Sequence, residues 1–301
     1  MKILIAGGTG FIGKPLVNSL KNSGHEIFLL SRKKNSSIAP GIQTLHWDAE
    51  NFSGWEKWVE HCDAIINLTG EGIASKRWTE RQKNIIVNSR IQSTRILVKA
   101  IQQFPNQSIS LINGSAIGYY GNVPEGELTE NASAGKGFLA ETCQAWEQEA
   151  LRAASSNVRV VCIRTGIVLE KNGGALQKML FPFQLGLGGP LGDGKQWMSW
   201  IYLDDMVSLI CYVLENKQIR GPVNATAPWP VRMKEFAKIL GKNLHRPAIL
   251  PAPSFAIRLL LGEMSEMLLE GQKVIPQKLI HDGFHFQYPD LDSALKTILK
   301  S

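Results

Sequence analysis

The stretch GGTGFIG, Gly7–Gly13, directly follows the apolar run ILIA of residues 3–6. A short apolar run of this kind predicts a buried strand, and Phe11–Asn22 carries apolar residues at helical spacing. A strand, a glycine-rich turn and a helix in this order bind phosphate, because glycines let backbone N–H groups approach a diphosphate at the positive end of the helix dipole. The stretch therefore predicts a dinucleotide site, with an incidental glycine turn as the alternative.

The glycines of this loop have separate predicted tasks. Gly7 allows the tight turn, Gly10 lets the amides approach the diphosphate, and Gly13 lets the helix pack closely on the strand. The predicted cofactor contacts of the loop are Gly7, Thr9, Gly10, Phe11, Ile12 and Gly13.

The first half of the chain alternates short apolar runs with helical patterns. This alternation predicts an α/β fold with a doubly wound, parallel Rossmann sheet. Helices are predicted over residues 11–22, 79–103 and 138–154. The predicted strands are Lys2–Ala6, Glu26–Ser31, Gln43–Trp47, Asp63–Leu68, Ser108–Asn113 and Asn157–Arg164.

The sequence changes character after Glu170. Gly173 and Gly174, followed by the glycines of residues 186–194, predict a loop-rich region from 173 to 194. The loop at 186–194, Trp197, Trp200 and the C-terminal helices are predicted to close over a ligand. Asp204 and Asp205 are predicted to cap the helix that follows them. Further predicted elements are a strand at Val223–Ala225 and helices at Met233–Gly241, Ala256–Met267 and Asp290–Leu299.

These patterns predict two parts of the chain. Residues 1–170 form a nucleotide-binding Rossmann domain, with part of residues 195–230 returning to the sheet. Residues 171–301 form a smaller substrate or lid region, whose segment 245–301 is mostly helical.

The end of the second predicted strand indicates which nicotinamide cofactor is bound. An acidic side chain at this point accepts hydrogen bonds from the adenosine ribose of NAD. Residues 31–34 instead read Ser-Arg-Lys-Lys. Arg32 can hold the 2′-phosphate of NADP through two hydrogen bonds, and Ser31 can donate one. We therefore predict NADP(H) rather than NAD, with a solvated loop at Arg32 as the alternative.

The formal net charge of +7 is concentrated in one part of the chain, which we call the basic segment, residues 76–99. It holds seven basic residues and one acidic residue. A short basic segment favours a local anion site over a nucleic-acid surface, so no nucleic-acid partner is expected. A solvated helix face is the alternative.

Composition predicts a cytoplasmic protein without a membrane span. No apolar run approaches the roughly 18 residues that a span needs, and the opening apolar run is too short for a secretory signal. The four cysteines lie far apart without a CxxC pair. This spacing predicts buried, reduced thiols in a reducing compartment and gives no metal site.

Motifs spread over the whole chain resemble one family. After the glycine loop come NLTGE at 67–71, NGSA at 113–116, YYG at 119–121, RTGIVL at 164–169, LGLGGP at 185–190, WIYLDD at 200–205 and LEGQKVIP at 269–276. With these motifs the chain resembles extended, atypical short-chain dehydrogenase/reductases. Within them it is similar to the epimerase family protein group, predicted nucleoside-diphosphate-sugar epimerases, and the last three motifs resemble that group's C-terminal part.

The resemblance implies further cofactor contacts. Leu68, Thr69 and Gly70 should line the path from the adenosine to the nicotinamide, and Val168 should lie near the nicotinamide. Arg90 occupies a helix position that faces the cofactor in the group. Its place in the basic segment fits a role toward an anion, and an exposed salt bridge is the alternative.

The catalytic pair that the resemblance implies is missing from the sequence. A Tyr and a Lys four residues later should lie on one face of the helix before the sixth strand, where the Lys lowers the pKa of the Tyr. Residues 137–154 contain neither. Glu141 and Glu147 are interpreted as solvated carboxylates, with a general-acid role as the alternative. The periodic residues there predict a helix face packed on the sheet; they are Leu139, Cys143, Trp146 and Ala150.

Hydroxyl groups after the fifth predicted strand are the remaining catalytic candidates. Ala116 stands where the resemblance implies a Ser or Thr, and Ser115 is one place earlier. Ser115, Tyr119 and Tyr120 are candidates because α/β sites form at the carboxyl ends of strands. Packing is the alternative for both tyrosines.

Two functions from different classes follow. The first is an NADP(H)-dependent oxidoreductase or epimerase that acts on a small anionic substrate, with a nucleotide-sugar as one option. The second is an NADP(H)-binding regulatory protein, with cell division as one setting, that has lost turnover; the missing Tyr/Lys pair favours it. A plain scaffold requires that no nucleotide bind. A homodimer is left open as an alternative to a monomer.

Overall fold

The glycine loop joins the central strand of a parallel sheet to its first helix. The computed structural model describes residues 1–33 and 41–300. These residues form the strands β1 (Lys2–Ala6), β2 (Glu26–Ser31), β3 (Gln43–His46), β4 (Ala64–Asn67), β5 (Ile109–Ala116), β6 (Val123–Leu128), β7 (Val158–Thr165), β8 (Ile167–Glu170), β9 (Trp197–Met198), β10 (Trp200–Tyr202), β11 (Gly221–Ala225), β12 (Val231–Arg232) and β13 (Gln272–Val274).

Seven of these strands form the main sheet, in the order β11-β7-β5-β4-β1-β2-β3. All neighbouring strands in it are parallel. The predicted doubly wound parallel sheet is therefore confirmed, and the predicted strand at Val223–Ala225 is present as part of β11 at its edge. Three small pairs, β6 with β13, β8 with β10 and β9 with β12, lie outside the main sheet.

Helices cover both faces of the main sheet. The described α-helices are α1 (Gly13–Asn22), α2 (Glu80–Gln102), α3 (Phe138–Leu151), α4 (Gly174–Gln184), α5 (Leu203–Glu215), α6 (Met233–Leu244), α7 (Ser254–Leu261), α8 (Glu266–Leu269), α9 (Gln277–His281) and α10 (Leu291–Lys300). Short 3-10 turns lie at Trp55–His61, Ile117–Tyr120 and Gly262–Ser265. Among the described residues, none of the helices has the length and apolar character that crossing a membrane requires.

Alternate residues of the central strand enter two separate cores. Ile3 and Ile5 pack in a core that also holds α1, α5 and α6, whereas Leu4 and Ala6 pack in a core that holds parts of α2 and α3. Successive side chains of a strand point to opposite faces, so a strand with two covered faces must be apolar throughout. This explains the unbroken run at residues 3–6.

Three sequence predictions about elements need correction. Helix α1 begins at Gly13 rather than Phe11, because Phe11 and Ile12 remain in the turn. The predicted helix Ala256–Met267 is broken after Leu261, where Gly262 has a φ of +60°. Residues 174–184, expected to belong to a loop-rich region, form helix α4 with Pro182 near its end.

Asp205 fixes the C-terminal segment to the sheet rather than capping its own helix. Its two carboxylate oxygens accept backbone N–H groups of Gln287 and Tyr288, each at 2.9 Å. The helix cap residue is Tyr202, and Asp204 and Asp205 lie in the first turn. The predicted structural role therefore holds for Asp205, but the predicted capping contact is wrong.

The cysteines are free thiols. Cys62, Cys143 and Cys162 are buried, as predicted, and Cys211 is half-buried. Burial raises the pKa of the Cys62 thiol to about 12. No cluster of metal-ligating side chains is present in the described part of the chain.

Candidate functional site

A cavity of about 630 Å³ opens at the carboxyl ends of β1, β4 and β5. The chain passes from β1 to β2 and β3 on one side, and β4 then pairs on the other side of β1. Ligands of open α/β sheets bind at such a change of direction. The cavity is lined by parts of the glycine loop, of residues 68–73, 114–122 and 136–146, of β7 and β8, and of residues 266–272.

The glycine loop is shaped by positions that exclude a side chain. Gly7 has a φ of +83°, and a Cβ atom there would lie 2.7 Å from the carbonyl carbon of Leu68. A Cβ atom at Gly13 would lie 2.2 Å from the carbonyl oxygen of Gly7. The Gly10 amide donates to the same oxygen at 3.0 Å, which closes the turn. Thr9, Gly10 and Phe11 are exposed, so the loop leaves backbone accessible in front of α1.

The predicted 2′-phosphate contacts lie beside this loop. Ala6 of β1 pairs with Leu30 of β2, so Ser31 and Arg32 follow at the same edge of the sheet as Gly7. Arg32 is exposed, and the buried Ser31 hydroxyl accepts the Lys33 amide at 3.1 Å. Lys34, the last residue of the basic stretch that predicts NADP, lies outside the described residues.

Residues after β4 form one wall of the cavity. The Asn67 carboxamide oxygen accepts from the Thr69 hydroxyl at 2.5 Å, and that hydroxyl also lies 2.7 Å from the Ser93 hydroxyl. Leu68 and Gly70 line the cavity, whereas the hydroxyl of Thr69 is engaged with the protein itself. The network holds the turn after β4 on α2.

Arg90 lies at the cavity, next to this turn. One guanidinium nitrogen donates to the carbonyl oxygens of Glu71 and Ile86, each at 3.0 Å, and the guanidinium lies 5.2 Å from the Trp146 ring. Burial lowers the pKa of Arg90. A Cβ atom at Gly70 would lie 3.0 Å from the guanidinium carbon, so the glycine makes room for it. The other basic residues of the segment do not line the described cavity; Lys83 pairs with Glu80 and Glu263, and Arg95 pairs with Glu149.

The residue predicted near the nicotinamide lies in the core. Val168 of β8 pairs with Ile201 of β10 and is buried in the larger core. Its neighbours Thr165, Gly166 and Ile167 line the cavity instead. The turn between β7 and β8 thus contributes to the site mainly through the residues before Val168.

Ser115 belongs to a buried charged network that sequence reasoning missed. Its hydroxyl donates to the Glu147 carboxylate at 2.6 Å, and Glu147 makes a two-point ion pair with Arg164 at 2.8 and 2.9 Å. Glu147 and Arg164 are about 6% and 3% exposed. Burial alone would lower the pKa of Arg164, but the hydrogen bond and charge of Glu147 raise it. The interpretation of Glu147 as solvated is therefore wrong, because α3 turns this carboxylate toward β7.

The two tyrosines pack around the same arginine. The Arg164 guanidinium lies 3.5 Å from the ring of Tyr119 and donates to the hydroxyl of Tyr120 at 2.9 Å. The Tyr120 hydroxyl lies 2.7 Å from the carboxamide oxygen of Asn224 and is buried. Burial raises the pKa of Tyr120. Ser115 lines the cavity, whereas the contacts of Tyr119 and Tyr120 favour the packing alternative.

The cavity-facing side of α3 carries no Tyr or Lys. Leu139 and Cys143, four residues apart, line the cavity and lie beside Gly118. Burial raises the pKa of the Cys143 thiol to about 11, so it is a neutral thiol near pH 7. Glu141 is exposed. Ser115 is therefore the one predicted catalytic hydroxyl that the described structure brings to the cavity.

The far wall of the cavity comes from the C-terminal part. Gly271 and Gln272 are tied to the residues after β5 by hydrogen bonds from Val123 to Gly271, at 3.2 Å, and from Gln272 to Ile117, at 2.8 Å. Trp197 also lines this wall and donates to the Pro124 carbonyl at 3.0 Å.

The predicted closing residues need two corrections. The glycine-rich residues 186–194 do not line the described cavity; they pack against residues 247–254, where Gly192 donates to Ala252 at 2.9 Å. Trp200 is fully buried in the larger core. Both differ from the prediction because backbone pairing with the later segment, and strand pairing of β10 with β8, turn these residues away from the cavity.

Comparison with known proteins agrees with this geometry. A family model described as "NAD dependent epimerase/dehydratase family" matches residues 3–225, which is most of the chain. The chain belongs to this family. A second model, a domain of unknown function, matches residues 252–298 and so covers the C-terminal part.

Relatives extend over the whole length of this family member. It is 42% identical to the chloroplastic SDR39U1 homolog of Arabidopsis thaliana, an epimerase family protein, over 100% of this chain and 87% of the relative. The crystal structure of the human epimerase family protein SDR39U1 with NADPH superposes on this chain with a TM-score of 0.89 at 36% sequence identity. The match covers 100% of both chains. A nucleoside-diphosphate sugar epimerase from Corynebacterium glutamicum has a TM-score of 0.81 and 30% identity, covering 99% of this chain and 58% of that one. The resemblance seen in the motifs is thus confirmed.

The glycine loop of this epimerase-family chain fits a dinucleotide on structural grounds. The first amides of an α-helix have no partner within the helix, and here α1 begins at the cavity. Gly7 and Gly13 keep the turn tight enough to expose these amides, since either Cβ atom would collide with backbone. Backbone donors and the helix dipole together suit a pyrophosphate.

Proposed function

We propose that this chain is an NADP(H)-dependent oxidoreductase that acts on a small molecule. One observation carries the proposal: a single cavity extends from the glycine loop to Ser115 and ends at residues 266–272. Such a cavity has room for a dinucleotide at one end and leaves space for a second molecule at the other. Its volume falls within the range of about 300–1,000 Å³ that is typical of ligand pockets.

NADP(H) is the cofactor that the residues at the end of β2 favour. Arg32 and Ser31 supply donors for a 2′-phosphate, and no carboxylate stands at this position to repel it. The human relative was solved with NADPH, which supports the same choice. The loop residues 7–13 would hold the pyrophosphate, and Leu68, Gly70 and Arg90 would flank the path toward the nicotinamide.

The chain's own residues would mainly orient the substrate and would contribute little to proton transfer. When bound, the nicotinamide supplies hydride transfer. Ser115 would place its hydroxyl oxygen at the reacting end of the cavity, held by Glu147, and residues 266–272 would form the wall against which the substrate packs. An epimerase uses the same hydride chemistry, and the likeness to the Corynebacterium glutamicum protein supports that variant.

A regulatory protein that binds NADP(H) without turnover is the second candidate. The observation that favours it is the cavity-facing side of α3. Leu139 is apolar and the Cys143 thiol is neutral near pH 7, so neither takes the place of the missing Tyr and Lys in proton exchange. In this case cofactor binding would change a surface to which another protein binds. Cell division is one process that such a change could regulate.

Titration of the tryptophan fluorescence with NADPH and NADH tests the cofactor proposal. We expect NADPH to bind at least about tenfold more tightly than NADH, and the Arg32→Ala variant to lose that preference without losing NADH binding. Arg246→Ala removes another exposed arginine far from the loop in sequence and should leave both affinities unchanged. Equal, weak binding of both cofactors by the wild type would overturn the proposal.

Single-turnover measurements separate the two candidates. The protein is loaded with NADPH, mixed with a panel of carbonyl compounds and sugar nucleotides, and followed through the absorbance of the reduced nicotinamide. Decay with any member of the panel supports the oxidoreductase. Tight NADPH binding without decay supports the regulatory protein.

Two further parts of the proposal concern the whole chain. We retain a nucleotide-binding part over 1–170, joined by β11, and a substrate or lid part over 171–301. We also retain a cytoplasmic location, for which the four free thiols are the supporting observation. A homodimer stays open, and light scattering of the purified protein would decide it.

A further inference from the structure

The end of the cavity away from the glycine loop is lined mainly by apolar side chains. They come from five separate parts of the chain, so no single packing requirement explains them. Phe138 packs edge to face on Trp78, with ring centres 5.0 Å apart, and is thereby fixed in place. The apolar lining residues are Ile73, Ile86, Ile117, Phe138, Leu139 and Met267.

The charged residues at this end are mostly acidic. Glu266 and Glu270 line the cavity from successive turns of the C-terminal segment, and Lys136 is the one lysine among the described lining residues. Burial, followed by the charge of Glu266, raises the pKa of Glu270. A diphosphate here would face two carboxylates, and binding it would add further like charge.

Two other cations near this end are already held in pairs, whereas Arg258 lies near Glu270 and acts to lower the pKa of that carboxyl. Arg232 and Lys273 stack on Trp197, with distances of 3.9 and 5.1 Å to the ring centre. Arg232 pairs with Glu125 at 3.1 Å, and Lys273 pairs with Glu127 at 2.7 Å. Their positive charge is therefore largely compensated before any ligand arrives.

The start of α3 does not reverse this balance. Its first residues line the cavity, and a helix N-terminus favours anions. Glu141, however, lies in the first turn of α3 and complements the helix dipole. Arg90 lies on α2 beside the turn after β4, where it is bound to two carbonyl oxygens and stacked on Trp146.

We infer that the second molecule bound in this cavity is an uncharged, largely apolar carbonyl compound or the corresponding alcohol, rather than a nucleoside diphosphate or another phosphorylated substrate. The inference rests on the proposed function, because it needs NADP(H) at the glycine loop. It replaces the anionic substrate that the basic segment suggests, since Arg90 is the one basic residue of that segment, among the described residues, that lines the cavity.

The reaction balances with the cofactor as reductant. In the reductive direction the carbonyl carbon gains a hydride from NADPH and the carbonyl oxygen gains a proton from water, which yields an alcohol and NADP⁺. Phe138, Leu139 and Met267 bury the apolar part of the substrate. The Ser115 hydroxyl keeps its proton and donates it in a hydrogen bond to the Glu147 carboxylate. Its oxygen can then accept a hydrogen bond from the hydroxyl group of the product alcohol.

Binding to the NADPH-loaded protein tests the inference without requiring turnover. The probes are 4-phenyl-2-butanone, which is neutral and apolar, and UDP-glucose, both titrated by calorimetry at saturating NADPH. We expect the ketone to bind at least about tenfold more tightly than UDP-glucose. UDP-glucose binding as tightly as the ketone, or neither probe binding, would overturn the inference while the NADPH affinity keeps the proposed function standing.

Charge reversal at the acidic wall gives a second test. In the E266K/E270K variant we expect UDP-glucose to bind at least about tenfold more tightly than in the wild type, with the NADPH affinity unchanged. The control is E215K/E235K, which makes the same change of charge on exposed residues of α5 and α6 and should leave UDP-glucose binding as it is. The inference is overturned if both variants behave alike.

Met267→Asp tests the apolar wall directly. Met267 is half-buried and lies in the short α8, so we expect the variant to fold with a wild-type thermal midpoint. The ketone affinity should fall at least about tenfold because a carboxylate replaces apolar contact. An unchanged ketone affinity in the folded variant would contradict the inference, and loss of NADPH binding in the wild type would instead remove the proposed function.

Discussion

A methyl group at Gly7 would lie 2.7 Å from the carbonyl carbon of Leu68, and Gly7 also has a φ of +83°. Gly24 has a similar φ of +78°, but a Cβ atom there would meet nothing within 4 Å. At the residue scale, alanine substitutions at these two positions therefore separate the cost of the left-handed φ from the cost of a steric collision. An alanine at either position would adopt an unfavourable left-handed backbone conformation. At Gly7 alone, its Cβ atom would also collide with backbone atoms that cannot move aside.

We expect Gly24→Ala to lower the free energy of unfolding by about 1–2 kcal/mol, the usual cost of the left-handed region. Gly7→Ala should cost a further 1–3 kcal/mol or so, because crowding a packed site displaces its neighbours. Urea unfolding measures both values. NADPH binding should be lost only in Gly7→Ala, and equal losses of stability in the two variants would contradict the collision argument.

Two glutamates of α3 make a second comparison among residues. Glu147 pairs with the buried Arg164, whereas Glu149 pairs with Arg95 and Arg152, whose side chains are 47% and 65% exposed. Removing one partner of a buried pair leaves the other charge without compensation, so we expect Glu147→Ala to cost about 3–5 kcal/mol.

Glu149→Ala should cost only about 1 kcal/mol, since water can solvate both arginines. Chemical denaturation of the two variants gives the comparison. If Glu149→Ala proved as destabilising as Glu147→Ala, the assignment of Arg164 as a charge that depends on Glu147 would be wrong.

At the scale of elements, the main strands and the glycine loop could be predicted because their signals are local. An apolar run covered on both faces, followed by closely spaced glycines, has few alternative structures. Helix α4 was missed because flanking glycines and Pro182 suggest a loop, while Leu176, Leu180 and Phe183 bury it against the core. The break at Gly262 likewise depends on packing, since Arg77 lies where a side chain would extend.

The site was predictable only where one segment determines it. The loop at residues 7–13 is such a segment. The network of Ser115, Glu147 and Arg164 joins β5, α3 and β7, and no spacing within one segment reveals that pairing. A signal was available in Arg164, which with Arg159 is one of two arginines in a mostly apolar strand, because a charged residue in such a strand requires a buried partner.

The start of α10 gives a prediction for an element. The Asp290 carboxylate accepts the Ser293 amide at 2.9 Å and its hydroxyl at 2.6 Å, in front of the first residue of the helix. The Ser293 side chain, followed by its backbone amide, lowers the pKa of Asp290 from 3.8. Replacing a cap residue by Ala costs about 1 kcal/mol, so we expect Asp290→Ala to lose about that much stability at pH 7.

The pH dependence of that loss follows from the lowered pKa. A carboxylate whose pKa is depressed on folding contributes stability above its unfolded pKa and loses it as the pH falls through the folded pKa. The difference between wild type and Asp290→Ala should therefore be full above pH 5 or so and shrink below about pH 3.8. Denaturation from pH 7 down to about pH 2 would measure it, and a constant difference across that range would show that the carboxylate charge has no part in the cap.

At the scale of the whole molecule, the two parts of the chain share one core. The larger core holds Ile3 and Ile5 of β1 together with Leu291, Leu295 and Ile298 of α10. Asp205 of α5, a helix that packs in the same core, adds hydrogen bonds to Gln287 and Tyr288. Residues that share a packed core lose their contacts together, so the C-terminal part should not unfold on its own.

We therefore expect a single cooperative unfolding transition for the whole chain. NADPH at about 100 times its dissociation constant should raise the free energy of unfolding by about 2.7 kcal/mol, since it binds the folded state alone. Because the unfolding is shared, hydrogen exchange of peptides from β1 and from α10 should slow by the same factor when NADPH is added. Calorimetry measures the number of unfolding transitions, and hydrogen exchange measures the protection of the two peptides. Both are measured with NADPH and, as the control, with NADH at the same concentration. Two separate transitions, or protection confined to the β1 peptides, would mean that the C-terminal part is an independent unit and that its contacts to the cavity form only after the sheet has folded.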